Sequence, residues 1–175
     1  MEVHLITAGK RRYLPLLLLG DEQEDMIARY LDRGALYAMY DRAEEPGACG
    51  SCDCDNCGLA CEHPTVRRAG LRAVCVVTDE GNGVYELKNL SVCPPYQRQG
   101  YGRRVIDFLA HRYRGMGRVL TVGTGDSPLT LPFYKKCGFQ ITHRVKNFFI
   151  EHYDHPIFEG GKQLVDMVYL KMDLE

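Results

Sequence analysis

The sequence is short of the features that would send it to a membrane or a nucleic acid. Its one greasy run, Leu16 to Leu19, is far too short to span a bilayer. A formal net charge of -1 gives no electrostatic ground for binding nucleic acid or an anionic lipid surface. No basic region leading into an apolar stretch follows Met1-Glu2, so no secretory leader is read and the cytoplasm is the expected location. There is no internal repeat and no low-complexity tract. What is present is ordinary globular material: 45% hydrophobic and 26% charged residues in 175, enough for one domain with a buried core.

The chemistry concentrates in residues 84–114. Val84, Leu87, Leu90 and Val92 supply strand formers, and the Pro94-Pro95 pair ends any sheet ladder. From Tyr101 the period changes, with Val105, Phe108, Leu109 and Tyr113 recurring at three and four, which predicts an amphipathic helix. Between strand and helix lies Gln97-Arg98-Gln99-Gly100-Tyr101-Gly102. The first turn of a helix has N–H groups with no internal partner, and the helix dipole favours negative charge there. Glycines let a phosphate approach the backbone, and Arg98, Arg103 and Arg104 add positive charge. The same arginines explain themselves by phosphate, which leaves nucleic-acid binding without support.

Elsewhere, residues 2–7 read as a strand and Arg11 to Leu19 as a short helix. Asp21 to Glu24 resembles a capping box, with Asp21 as the cap of a helix carrying Met26, Ile27, Tyr30 and Leu31 on one stripe and ending near Gly34. Strands are expected over 35–40 and 71–78, joined to the 84–92 strand by the turn Asp79-Glu80-Gly81-Asn82-Gly83. A strand over 118–122, a helix opened by Ser127-Pro128, and strands over 139–145 and 163–173 complete the pattern. Pro132 sits far enough into that helix to kink or restart it. Residues 147–161 read as a long aromatic-rich loop.

The string Val92-x-Pro94-x-Tyr96-Gln97-x-x-Gly100-x-Gly102, followed by Phe133-Tyr134-Lys135-Lys136-Cys137-Gly138-Phe139, resembles the two signatures of the GCN5-related N-acetyltransferase family. That resemblance implies an α/β (α+β) fold, a mixed, mostly antiparallel sheet of six to seven strands flanked by helices. It implies acetyl-CoA as donor, with Gln97, Arg98, Gln99, Gly100, Tyr101, Gly102 and Arg103 at its diphosphate. Leu90, Ser91 and Val92 would lie along pantetheine, in a strand splayed from its neighbour. It also implies Tyr134 as the acid that protonates the departing thiolate, against the alternative of simple core packing. Glu86, eleven residues before Gln97, is the matching general base, with a surface ion pair to Lys88 as the competing reading.

The acceptor is a small-molecule or peptide amine, attacked directly in a ternary complex, with monomer and homodimer both open. His152, Tyr153 and His155 are assigned to substrate recognition, with packing of the aromatics as the alternative. Residues 43–69 form a Cys-rich insertion outside the resemblance. Cys49, Cys52, Cys54 and Cys57 make two C-x-x-C pairs that suit structural zinc, although a redox cluster or free thiols also fit. Cys75, Cys93 and Cys137 are scattered through expected core elements. The rival function is a non-catalytic acyl-CoA sensor reporting through the cysteine loop.

Overall fold

The computed structural model describes residues 1–41 and 70–174. In chain order the elements are β1 (Glu2–Ile6), a 3-10 turn (Lys10–Tyr13) running into α1 (Leu14–Leu17), α2 (Glu24–Leu31), β2 (Ala35–Tyr40), β3 (Leu71–Asp79) and β4 (Val84–Val92). A second 3-10 turn (Pro94–Tyr96) leads to α3 (Tyr101–Tyr113), β5 (Val119–Gly125), α4 (Thr130–Lys136), β6 (Gln140–Val145), α5 (Phe148–His152), β7 (Phe158–Glu159), β8 (Lys162–Gln163) and β9 (Met167–Asp173). Seven strands form one sheet in the order β1-β2-β3-β4-β5-β9-β6, and β7 and β8 make a separate ladder. β4 pairs with β5 in parallel, and β1–β2, β2–β3, β5–β9 and β6–β9 are antiparallel. The expected mixed sheet with flanking helices is therefore present. No described helix is long and apolar enough to cross a membrane.

The chain divides into two compact units. The first comprises Met1–Val77 and Asn89–Val105. Its core gathers Leu17, Ile27, Leu36, Ala38, Val74 and Val76, all fully buried. Met26, Ile27, Tyr30 and Leu31 of α2 face inward, as their spacing predicts. Burial of Ile27 alone contributes roughly 1.5–3 kcal/mol. Gly34 N–H donates to Tyr30 O (2.8 Å) and closes that helix. The capping box does not form. The cap residue is Gln23, without a side-chain cap bond, and Asp21 instead accepts from the Tyr30 hydroxyl at 3.2 Å. The helix expected over 11–19 is shorter and splits into the first 3-10 turn and α1, with Pro15 at a first-turn position.

The second unit comprises Thr78–Lys88 and Ile106–Glu175. Its opening turn follows the sequence: Gly81 N–H donates to Asp79 Oδ1 (2.8 Å) and Glu80 N–H to Val84 O (2.9 Å). Asn82, Gly81 and Gly83 all have positive φ, which this short reversal requires. Ser127 Oγ accepts from Leu129 and Thr130 N–H at 3.0 and 3.4 Å, so α4 starts at Thr130 and Pro132 falls within its first turn. Residues 147–161 are not an irregular loop. They hold α5 and β7, and Gly160-Gly161, both at positive φ, turn β7 into β8. Phe149, Ile157 and Leu164 form a small core of their own beneath this segment.

Candidate active site

The turn before α3 is built by backbone conformations that few sequences accept. Arg98 has φ 61° and Gly100 φ 87°. Gly100 takes that value without strain, whereas Arg98 holds it at a cost. A Cβ built on Gly100 would meet no atom within 4 Å, so the space over the turn is open. Arg104 N–H donates to Gly100 O (3.1 Å), a backbone bond into the first turn of α3. The side chains stay local: Gln97 Nε2 donates to Val92 O (3.1 Å) and Gln99 Nε2 to Pro95 O (2.9 Å). An open, cationic helix N-terminus of this kind suits a diphosphate.

Beyond Leu87 the strand β4 changes character. Its register with β5 runs from Val84–Val119 to Leu87–Val122 and stops, although β4 continues to Val92 and β5 to Gly125. Within Asn89–Val92 the inward positions are polar. Asn89 and Ser91 are each 3% exposed, while Leu90 and Val92 are only half-buried. Asn89 Nδ2 donates to Leu17 O (2.9 Å) and to the Tyr30 hydroxyl (3.1 Å), and Ser91 Oγ donates to Asn89 Oδ1 (2.9 Å). Burial, and then the nearby Asp21 carboxylate, push the Tyr30 hydroxyl far above its ordinary pKa. Gly20 rests on the same pair, since a Cβ there would stand 2.7 Å from Ser91 Oγ.

Glu86 is neither free nor on the open surface. Its Oε2 lies 2.7 Å from Lys88 Nζ, with the two side chains 13% and 22% exposed. Glu80 Oε1 lies 3.6 Å from the same ammonium and accepts from Thr78 Oγ1 at 2.6 Å. Tyr134 is buried on α4, edge-on to Phe133 and Phe139 with ring centroids 5.0 and 5.5 Å away.

The three residues assigned to substrate recognition separate. Tyr153 and His155 line a hollow of about 200 Å³ together with Phe149, Ile150, Asp154 and Gln163. His152 does not line it; its ring stacks on Phe148 at 4.4 Å and its Nδ1 pairs with Phe148 O. Tyr153 also stacks on Phe149 (5.3 Å), so aromatic packing and the hollow share residues. Among the described residues no group of three or more His, Cys, Asp or Glu could hold a metal ion. Cys49, Cys52, Cys54 and Cys57 lie outside the described residues. Cys75, Cys93 and Cys137 are buried, and burial pushes the Cys75 thiol well up, away from reactivity.

Three residues here escaped the sequence reading. Arg72, a single charge inside the apolar run Leu71 to Val77, was a visible anomaly. Asn89 was visible as a polar residue between strand formers. Asp41, at the end of β2, carried no signal.

The family description "Acetyltransferase (GNAT) domain" matches residues 32–141. The uncharacterized N-acetyltransferase YvbK of Bacillus subtilis (strain 168) is 30% identical over 161 residues, covering 91% of this chain and 87% of that protein. A Bacillus subtilis acetyltransferase solved in complex with CoA is 28% identical, with TM-score 0.77 and coverage of 98% and 97% of the two chains. A GNAT family acetyltransferase from Elizabethkingia anophelis with acetyl-CoA bound is 29% identical, with TM-score 0.78 and coverage of 98% and 97%.

Proposed function

We infer that this chain, which belongs to the GNAT family of acetyltransferases, moves an acetyl group from acetyl-CoA to a primary amine. What supports this reading is the turn ahead of α3, where Arg98 and Gly100 hold positive φ, the space over Gly100 is open, and Arg98, Arg103 and Arg104 bring positive charge to the helix start. Acetyl-CoA is the donor substrate, and the residues fit it. The amides from Arg98 to Gly102 suit the diphosphate. The half-buried Leu90 and Val92, on a strand length without register to β5, suit the pantetheine arm.

In the reaction the neutral amine attacks the thioester carbonyl, the C–N bond forms and the C–S bond breaks. Tyr134 gives its proton to the departing thiolate, for which a phenol is strong enough at neutral pH. Glu86 receives the proton lost by the amine, directly or through water, with Lys88 holding its carboxylate in place. Tyr153 and His155 touch the acceptor from their hollow, and His152 supports that segment through its stack on Phe148.

Calorimetry with coenzyme A, and thiol release from acetyl-CoA across a panel of amines, test the reading together. We expect uptake of coenzyme A and turnover with at least one amine. Tyr134→Phe is expected to lower kcat about 100-fold with coenzyme A affinity unchanged. Absence of coenzyme A binding would overturn the donor assignment. Binding without turnover on any amine, unaffected by Tyr134→Phe, would favour the acyl-CoA sensor.

A further inference from the structure

Arg72 is 8% exposed on β3, an unusual place for a guanidinium. Its Cζ lies 3.8 Å from the centroid of the Tyr96 ring, and its Nε makes no hydrogen bond among the described residues. Among the described residues the charge that answers it is Asp41, whose Oδ2 is 3.8 Å from that Nε. The same oxygen accepts from the Tyr101 hydroxyl at 2.5 Å, and the ammonium of Met1 lies 3.4 Å from Oδ1. The Tyr101 hydroxyl, before any other contact, holds the Asp41 carboxyl below its ordinary range. Tyr96 closes the 3-10 turn that precedes the diphosphate turn, and Tyr101 opens α3 immediately after it. Their rings meet edge to face at 6.1 Å.

One ion pair thus grips the residues at both ends of the segment Gln97 to Gly100. We propose that Arg72 and Asp41 are positioning residues, which fix Tyr96 and Tyr101 so that the amides between them are arranged for the diphosphate before it arrives. The physical reason is entropic. A four-residue turn with a strained Arg98 would otherwise sample many conformations, and ordering it would fall on the binding step. Stacking and a charge-assisted bond at each end move that ordering into folding. The proposal rests on the donor assignment above, and its effect belongs to affinity for the diphosphate, not to chemistry at the thioester.

The test compares two donors. One is acetyl-CoA. The other is S-acetyl-N-acetylcysteamine, which keeps the thioester and the end of the arm but has no diphosphate. For Arg72→Met and Asp41→Asn we expect the KM for acetyl-CoA to rise about tenfold, with kcat at saturation within about twofold of wild type. With the truncated donor, kcat/KM should match wild type. Because Asp41→Asn strands the buried Arg72 charge, the neutral pair Arg72→Met with Asp41→Asn is made as well, and it should show the same split between donors. Equal losses with both donors would mark the pair as general support of the fold and overturn the proposal. So would unchanged KM for acetyl-CoA in all three variants. A wild type that takes up no coenzyme A would instead sink the donor assignment, and would be seen before any variant is made.

Discussion

The two halves of β4 solve the problem of polar side chains in a strand in opposite ways. From Val84 to Leu87 the strand is in register with β5, and the polar side chains of this half, Glu86 and Lys88, are charged. Glu86 and Lys88 pair at 2.7 Å where water still reaches both. From Asn89 to Val92 the register has ended and the polar residues, Asn89 and Ser91, are neutral and sealed. The difference follows from desolvation. A charge is tolerable at partial exposure with a partner alongside, whereas full burial admits amides and hydroxyls only when every group is hydrogen-bonded. The second half therefore locks its strand from the buried side, through Leu17, Tyr30 and Gly20, and leaves the other side to Leu90 and Val92.

Substitution should break this contrast unevenly. Asn89→Ala removes the donor to Leu17 O and to Tyr30 and the acceptor for Ser91, and should cost roughly 3 kcal/mol in urea unfolding, read from the midpoint at constant slope. Alkaline titration sharpens the same half. Burial raises the Tyr30 hydroxyl above the ordinary phenol pKa of about 10 in the fold, so the stability it contributes is complete below that pH and is lost as pH rises beyond it. Tyr40, Tyr101 and Tyr169 are raised as well and act in the same direction. Tyr30→Phe should flatten the decline by up to about 1.4 kcal/mol per pH unit, and an unaltered slope would contradict the buried network. The smallest effect belongs to the charged half. Lys88→Met should cost about 1 kcal/mol or less, because both partners of the pair are partly solvated. A loss as large as that of Asn89→Ala would erase the distinction between the halves.

Local signals made much of the fold legible. The Asp79–Gly83 reversal, the apolar stripe of α2 and the change of period at Tyr101 each lie within a few residues of sequence, and each appears in the structure. The glycine-bearing turn ahead of α3 was legible for the same reason. Other features are set by contacts distant in sequence. Asp21 leaves the α2 cap to accept from the Tyr30 hydroxyl, which Asn89 Nδ2 engages in turn from β4, and no capping pattern can register that. The strand formers Leu90 and Val92 suggest an apolar inner face, yet the inner face is Asn89 and Ser91, since Leu17 and Tyr30 supply partners from other elements. Two-residue strands such as β7 and β8 are too short to show alternation. Only the Gly160-Gly161 pair between them carried a signal, and it is a strong one for a hairpin.

One small bond has an engineering consequence. Asp41 N–H donates to Gly70 O at 3.0 Å, so the points where the chain leaves β2 and rejoins β3 are in contact. Stems that touch accept almost any length of cargo between them, since each doubling of the tethered segment adds only about 0.6 kcal/mol. A change in the length of the connection between Asp41 and Gly70 should therefore cost the fold little loop-closure entropy. A fluorescent guest grafted there would begin one residue after the carboxylate that holds Tyr101, which makes the junction a natural place to build an optical reporter of donor occupancy.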